Sequence, residues 1–133
     1  MQFVGRKHKH KNDCWADALS YATKIDYDKI YKSLKIFEDK DGSMQPIISH
    51  GILLRYDYAM IDIENKKTVI EFLKTFNTYD NEVVISIEGH VFYVCEDRIY
   101  DKYDTAMWLL EQKVDMVWYR QLHPIKIIKA DDK

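Results

Sequence analysis

Cys14 stands where a helical pattern begins, and His90 stands where a strand pattern begins. Hydrolysis through a thiol needs a thiolate, a proton acceptor beside it and a group that orients the acceptor. A cysteine at a helix N-terminus lies in the positive end of the helix dipole, which favours the thiolate. Lys7, Lys9 and Lys11 in the preceding basic run push the same way if they fold over Cys14, while Asp13 pushes against. His90 falls in "EGHVFYVCEDRIYDKYD" (88–104), where Gly89 ends a turn and "CEDR" reverses the chain into "IYD". Strand side chains alternate faces, so His90, Phe92 and Val94 share one face and Val91, Tyr93 and Cys95 the other. If Glu96 and Asp97 form a two-residue loop, Cys95 opposes Arg98 and Phe92 opposes Asp101. Asp101 then shares the face of His90, one diagonal step away at roughly 7–8 Å between backbones. A loop one residue longer flips Asp101 to the other face. Asp104 is the rival orienter, although its place before "TAMWLL" suits a helix cap.

The elements that must position these residues follow from periodicity. A first helix runs from Asp13 or Cys14 to Thr23, with Cys14, Ala18 and Ala22 at i, i+4, i+8 beside Trp15 and Leu19. Asp26 caps a second, with Tyr27, Ile30, Tyr31 and Leu34 on one stripe. "DKDG" (39–42) is a turn, and a third helix spans roughly 45–55 with Pro46 in its first turn. "YAMIDI" (58–63) reads as a strand, and Asn65 caps a helix carrying Val69, Ile70, Leu73 and Phe76. Strands are expected at 82–87, 90–95, 98–101, 114–119 and near 125–128, with a short helix over 105–111. Helices first and antiparallel strands after give an α+β class.

Taken together, "NDCWADAL…DYDKIYKSL" and "GHVFYVCEDRIYDKYD" resemble the papain-like cysteine peptidase superfamily. The likeness is greatest to small bacteriophage and bacterial members with a DC-x-x-x-A-[LI] helix and a GHV…YD hairpin, and spans about residues 10–104. It implies a nucleophile helix packed with further helices on a C-terminal antiparallel sheet, with Cys14 as nucleophile, His90 as base and Asp101 as orienting carboxylate. Papain-like enzymes usually carry a Gln about six residues before the nucleophile as oxyanion donor. His8 holds that position here, and Asn12 is the nearest amide able to assist the Cys14 backbone N–H. The resemblance implies cleavage or transfer at a peptide or isopeptide bond, in a phage-encoded protein acting on a host or phage protein.

Composition bounds the alternatives. The 133 residues suit one domain, 1–133, with 1–11 as a solvated or frayed basic arm and 130–133 as a disordered tail. Apolar residues at 47% indicate a globular chain, and a formal charge of −2 argues against bulk nucleic-acid binding. Ten Tyr against five Phe suggest many half-exposed core edges, since a Tyr hydroxyl can stay wet. Two cysteines make no disulfide framework. No apolar run nears the ~18–20 residues that span a bilayer, and a signal-peptide core is lacking, so a cytoplasmic protein is expected. Cys95 reads as structural, and His50 and His123 carry no pattern.

Four other readings compete. Cys14 alone is more simply a buried small hydrophobe. His8, His10, Cys14 and His90 could ligate zinc, although H-x-H-x3-C is not a spacing with an established site behind it, and no cofactor is expected. A degenerate relative could grip a partner protein or small ligand in the old cleft, for example to block a host defence. The run Arg6–Lys11 could contact nucleic acid, but no aromatic platform accompanies it.

Overall fold

The computed structural model describes residues 2–5, 13–35, 46–63, 67–101 and 107–122. The elements run β1 (Gln2–Gly5), α1 (Cys14–Thr23), α2 (Tyr27–Lys35), α3 (Pro46–Arg55), β2 (Ala59–Ile61), α4 (Val69–Thr75), β3 (Asn81–Ile87), β4 (His90–Cys95), β5 (Arg98–Asp101), a 3-10 helix (Met107–Glu111) and β6 (Val114–Gln121). The class is α+β, and the six strands form one sheet in the order β1-β5-β4-β3-β6-β2.

That sheet is mixed, not antiparallel as expected. β1 pairs parallel with β5, from Gln2 opposite Arg98 to Gly5 opposite Asp101, and every other pairing is antiparallel. Residues 2–5 therefore belong to the sheet and not to a basic arm. "QFVG" is too short for its alternation to register, and a parallel partner almost a hundred residues away leaves no local signal.

Both faces of the sheet are covered. On the first, Val84, Val91, Tyr93 and Trp118 pack with Trp15, Ala18, Leu19 and Ala22 of α1, Ile30 and Leu34 of α2, and Leu53 of α3. On the second, Val83, Ile85, Phe92, Val94, Ile99 and Val117 pack with Val69 and Phe72 of α4 and Leu109 of the 3-10 helix. Burial on two sides explains why β3 and β4 read as nearly continuous apolar runs. Leu19 is fully buried, so Leu19→Ala would cost about 2–5 kcal/mol.

Local chemistry sets most element ends. The Asp26 carboxylate accepts the Asp28 N–H at 3.1 Å, starting α2 as expected. α4 is capped by Thr68 and not by Asn65, which lies outside the described residues. Thr68 Oγ1 accepts the Glu71 N–H while Glu71 accepts the Thr68 N–H, a capping box written in "TVIE". The expected strand 58–63 contracts to Ala59–Ile61, and the expected helix 105–111 is a 3-10 helix from Met107. The turn at 39–42, the strand near 125–128 and the tail 130–133 lie outside the described residues.

The C-terminal end of α1 is pinned by a buried carboxylate. Glu82, 2% exposed at the start of β3, accepts hydrogen bonds from Lys24 Nζ (2.8 Å) and the Tyr93 hydroxyl (2.6 Å) on Oε1. Its Oε2 accepts Arg120 Nε (2.9 Å) and Nη2 (2.6 Å). Arg120 also donates to the carbonyls of Tyr56 and Ala22 and lies over the Tyr58 ring. Burial pushes the Glu82 carboxyl up, yet the donors from Lys24, Tyr93 and Arg120 outweigh it and hold the group below its ordinary value.

Candidate active site

Two tight turns fix the histidine and its carboxylate. Between β3 and β4, Gly89 adopts a positive φ of 73°, which lets Ile87 pair directly with His90. Between β4 and β5, Glu96 and Asp97 both take positive φ (51° and 59°), as a two-residue type I′ hairpin requires. Thr78 secures that turn by accepting the N–H of Glu96 on its carbonyl and of Asp97 on its hydroxyl. The register runs Cys95–Arg98, Val94–Ile99, Tyr93–Tyr100, so the next rung sets Phe92 opposite Asp101. Asp101 is thereby diagonal to His90 on the same face, and His90 Nε2 meets Asp101 Oδ1 at 2.8 Å.

The thiol arrives from the other layer. α1 crosses β4 on the first face, bringing its first residue to the end of the sheet where β4 begins and β5 stops. Cys14 is half-buried there and lies within hydrogen-bonding reach of the His90 ring. With Nε2 engaged by Asp101, Nδ1 is the nitrogen left for the thiol. Burial alone would push the imidazole down. The hydrogen bonds to Asp101 and Cys14, and the charge of those partners, outweigh burial and raise it to about 9. At neutral pH the imidazolium is thus the favoured form. Asp101 is 1% exposed, and its Oδ2 has no hydrogen-bond partner among the described residues. Among the described residues, the His90 ring is the group that faces the charge of that carboxylate.

Of the residues singled out in the sequence, the fold brings Cys14, His90 and Asp101 together. Asn12, His8, His10, Asp104, His123 and the run Arg6–Lys11 lie outside the described residues. Cys95 packs with the first-face cluster, and both cysteines are free. Among the described residues no group of three or more His, Cys, Asp or Glu side chains could hold a metal ion. No described helix is long and apolar enough to cross a membrane.

Two further residues, Trp108 and Asp13, bear on the site, and a His50–Trp118 pair lies in the first-face layer. Trp108, 48% exposed, lies against the His90 ring with centroids 5.9 Å apart. The sequence places it in an expected short helix over 105–111 and does not single it out. Asp13 occupies the N-cap position of α1 without a side-chain cap, and its Oδ2 accepts the Tyr27 hydroxyl. His50 accepts the Trp118 indole N–H at 2.8 Å, a pairing between positions 68 residues apart that no sequence spacing announces.

No protein-family model, curated protein or solved structure matches this chain.

Proposed function

We propose that the protein is a papain-like thiol hydrolase or acyl transferase, using Cys14, His90 and Asp101 on a peptide or isopeptide bond. The observation that carries the reading is a single imidazole hydrogen-bonded at 2.8 Å to a buried carboxylate, with the half-exposed Cys14 thiol within reach of the same ring. In this mechanism the Cys14 sulfur attacks the carbonyl carbon, and the imidazolium of His90 gives its proton to the departing amine. A thioester results. Water, or a second amine, then loses a proton to His90 and displaces the thiolate. Asp101 keeps Nδ1 aimed at the sulfur by holding Nε2. The developing oxyanion falls to first-turn N–H groups of α1, with the Asn12 amide as the second donor assigned from sequence.

The test is the rate of Cys14 alkylation by iodoacetamide from pH 4 to 10, in a Cys95→Ser background, with and without His90→Ala. Reactivity that persists well below a free-thiol pKa of ~8.5 and collapses without His90 supports an activated pair. An ordinary thiol titration, indifferent to His90, removes the enzyme reading.

A second reading, a binding module without turnover, draws on the exposed Trp108 beside His90 and on the exposed Met107 that precedes it in the 3-10 helix. Exposed aromatic and Met side chains are what protein interfaces enrich. An unreactive Cys14 together with stable capture of a peptide or protein would favour it. The bacteriophage origin and a host or phage target remain part of the first proposal, resting on the motif likeness alone.

A further inference from the structure

We infer that Tyr27 and Asp13 form a positioning clasp for the nucleophile, in which the α2 hydroxyl occupies the Asp13 carboxylate and so keeps it from capping the first turn of α1. The inference rests on the thiol-hydrolase reading above and adds to it the device that makes an Asp-Cys pair workable. A carboxylate one residue from a thiolate is a liability twice over. Its charge disfavours a second negative charge nearby. At an N-cap position it also ordinarily accepts the second or third helical N–H, consuming the donors that stabilise an anion at the helix start.

Neither happens in the usual way here. Asp13 has φ −101° and ψ 15°, outside the extended region typical of capping residues, and no side-chain cap forms. Its Oδ2 accepts the hydroxyl of Tyr27, the first residue of α2, and the carboxylate is 2% exposed. Its carbonyl accepts the Asp17 N–H at 2.9 Å, so the backbone of the turn is closed without the side chain. The helix start therefore keeps its donors for an anion beside Cys14, and the Asp13 charge is spread into a strong hydrogen bond facing α2. Tyr31 of α2 and Asp17 of α1 stand around the clasp, while His90 of β4, held by Asp101 of β5, faces the thiol. The Tyr27–Asp13 hydrogen bond itself includes neither the thiol nor the imidazole. The pair acts through Cys14.

The experiment follows the alkylation profile of Cys14 in the full chain carrying Cys95→Ser, with Tyr27→Phe, Asp13→Asn and the two combined. Tyr27→Phe frees the carboxylate to cap α1, and the profile should move to higher pH by about one unit, roughly tenfold in rate on its rising limb. Asp13→Asn removes the charge while keeping an acceptor for Tyr27, so its profile should move below that of the parent. The double variant should follow Asp13→Asn, because the clasp acts on the thiol through the Asp13 charge. A purely structural tie predicts lowered melting temperatures with all profiles superimposed, and that result overturns the clasp. If Tyr27→Phe does not fold, Asp13→Asn alone decides: a profile at the parent's pH also overturns it. His90→Ala in the same series separates the two claims. Indifference to His90 defeats the hydrolase reading, whereas the order of the Tyr27 and Asp13 profiles judges the clasp by itself.

Discussion

The two ends of α1 are built from similar side chains and do opposite things with them. At its C-terminal end, both oxygens of the Glu82 carboxylate are filled, two donors to each, by Lys24, Tyr93 and Arg120. At its N-terminal end, the equally buried carboxylate of Asp101 has, among the described residues, one partner and one oxygen without any, beside a half-exposed thiol and a helix start with no side-chain cap. A satisfied network rigidifies. A network left with spare capacity stores a charge that can be moved, which is what proton transfer requires. The difference separates a strut from a candidate reaction centre without any appeal to resemblance.

The largest expected effect lies at the N-terminal end. His90→Ala should slow Cys14 alkylation at pH 6 by about 10²–10³-fold, within the range a positioned acid–base partner contributes. Glu82→Ala should leave that rate untouched. Instead it deprives Lys24, Tyr93 and Arg120 of the acceptor they share and should cost about 3 kcal/mol in urea denaturation, as removing the buried partner of an ion pair does. If Glu82→Ala instead slowed alkylation as much as His90→Ala, the division between the two ends would collapse.

The pH dependence of stability offers the next contrast, because the two ends titrate with opposite sign. His90 is raised from 6.5 to about 9, so it binds its proton more tightly folded than unfolded. Its contribution is fully present below pH 6.5 and is lost as pH rises through about 9, amounting to roughly 3 kcal/mol at one pKa unit per 1.4 kcal/mol. Glu82 is held below its ordinary value, so its contribution is present above the unfolded carboxyl pKa and is lost as pH falls through the folded one. Denaturation midpoints measured from pH 3 to 10 should decline at both extremes. His90→Gln should flatten the alkaline side alone. An alkaline decline that survives the substitution would mean that the imidazole is not the group responsible.

Much of the N-terminal end was readable in the sequence because it depends on local rules. "CEDR" marks a turn, a two-residue loop there sets the register, and strand parity then puts Asp101 on the face of His90. The stripe from Cys14 to Ala22 dictates a helix with the thiol at its start. What escaped is long-range or shared between layers. Glu82 and Arg120 are 38 residues apart and look like ordinary polar positions on strands, until β3 and β6 pair them. β1 is four residues long and finds its partner only through the parallel ladder to β5. Asp13 was read as opposing the thiolate, and nothing short of the α1–α2 packing reveals that Tyr27 occupies it. The Thr68 capping box is a different kind of miss. Its "TVIE" signature was legible, and Asn65 merely competed with it as another good capping residue.

The smallest effect tests how the C-terminal end divides its work. Lys24 ends α1 in the left-handed region, with φ 63°, and its ammonium is bonded to Glu82 although the side chain is 62% exposed. Replacing it with glycine removes two things of opposite sign. The left-handed conformation suits glycine, and relieving a side-chain residue of it returns up to about 1 kcal/mol, less the entropy that glycine adds to the unfolded chain. Losing an exposed ion pair costs about 0.2–1 kcal/mol. Lys24→Gly should therefore shift unfolding free energy by less than about 0.5 kcal/mol, whereas Lys24→Ala, which loses the pair and keeps the strain, should destabilise by about 1 kcal/mol. A glycine variant as damaging as Glu82→Ala would show that the exposed ammonium, and not the Arg120 fork with the Tyr93 hydroxyl, holds the buried carboxylate. The strut would then rest on one donor, as Asp101 rests on His90 among the described residues, and satisfaction of every acceptor would no longer distinguish the two ends.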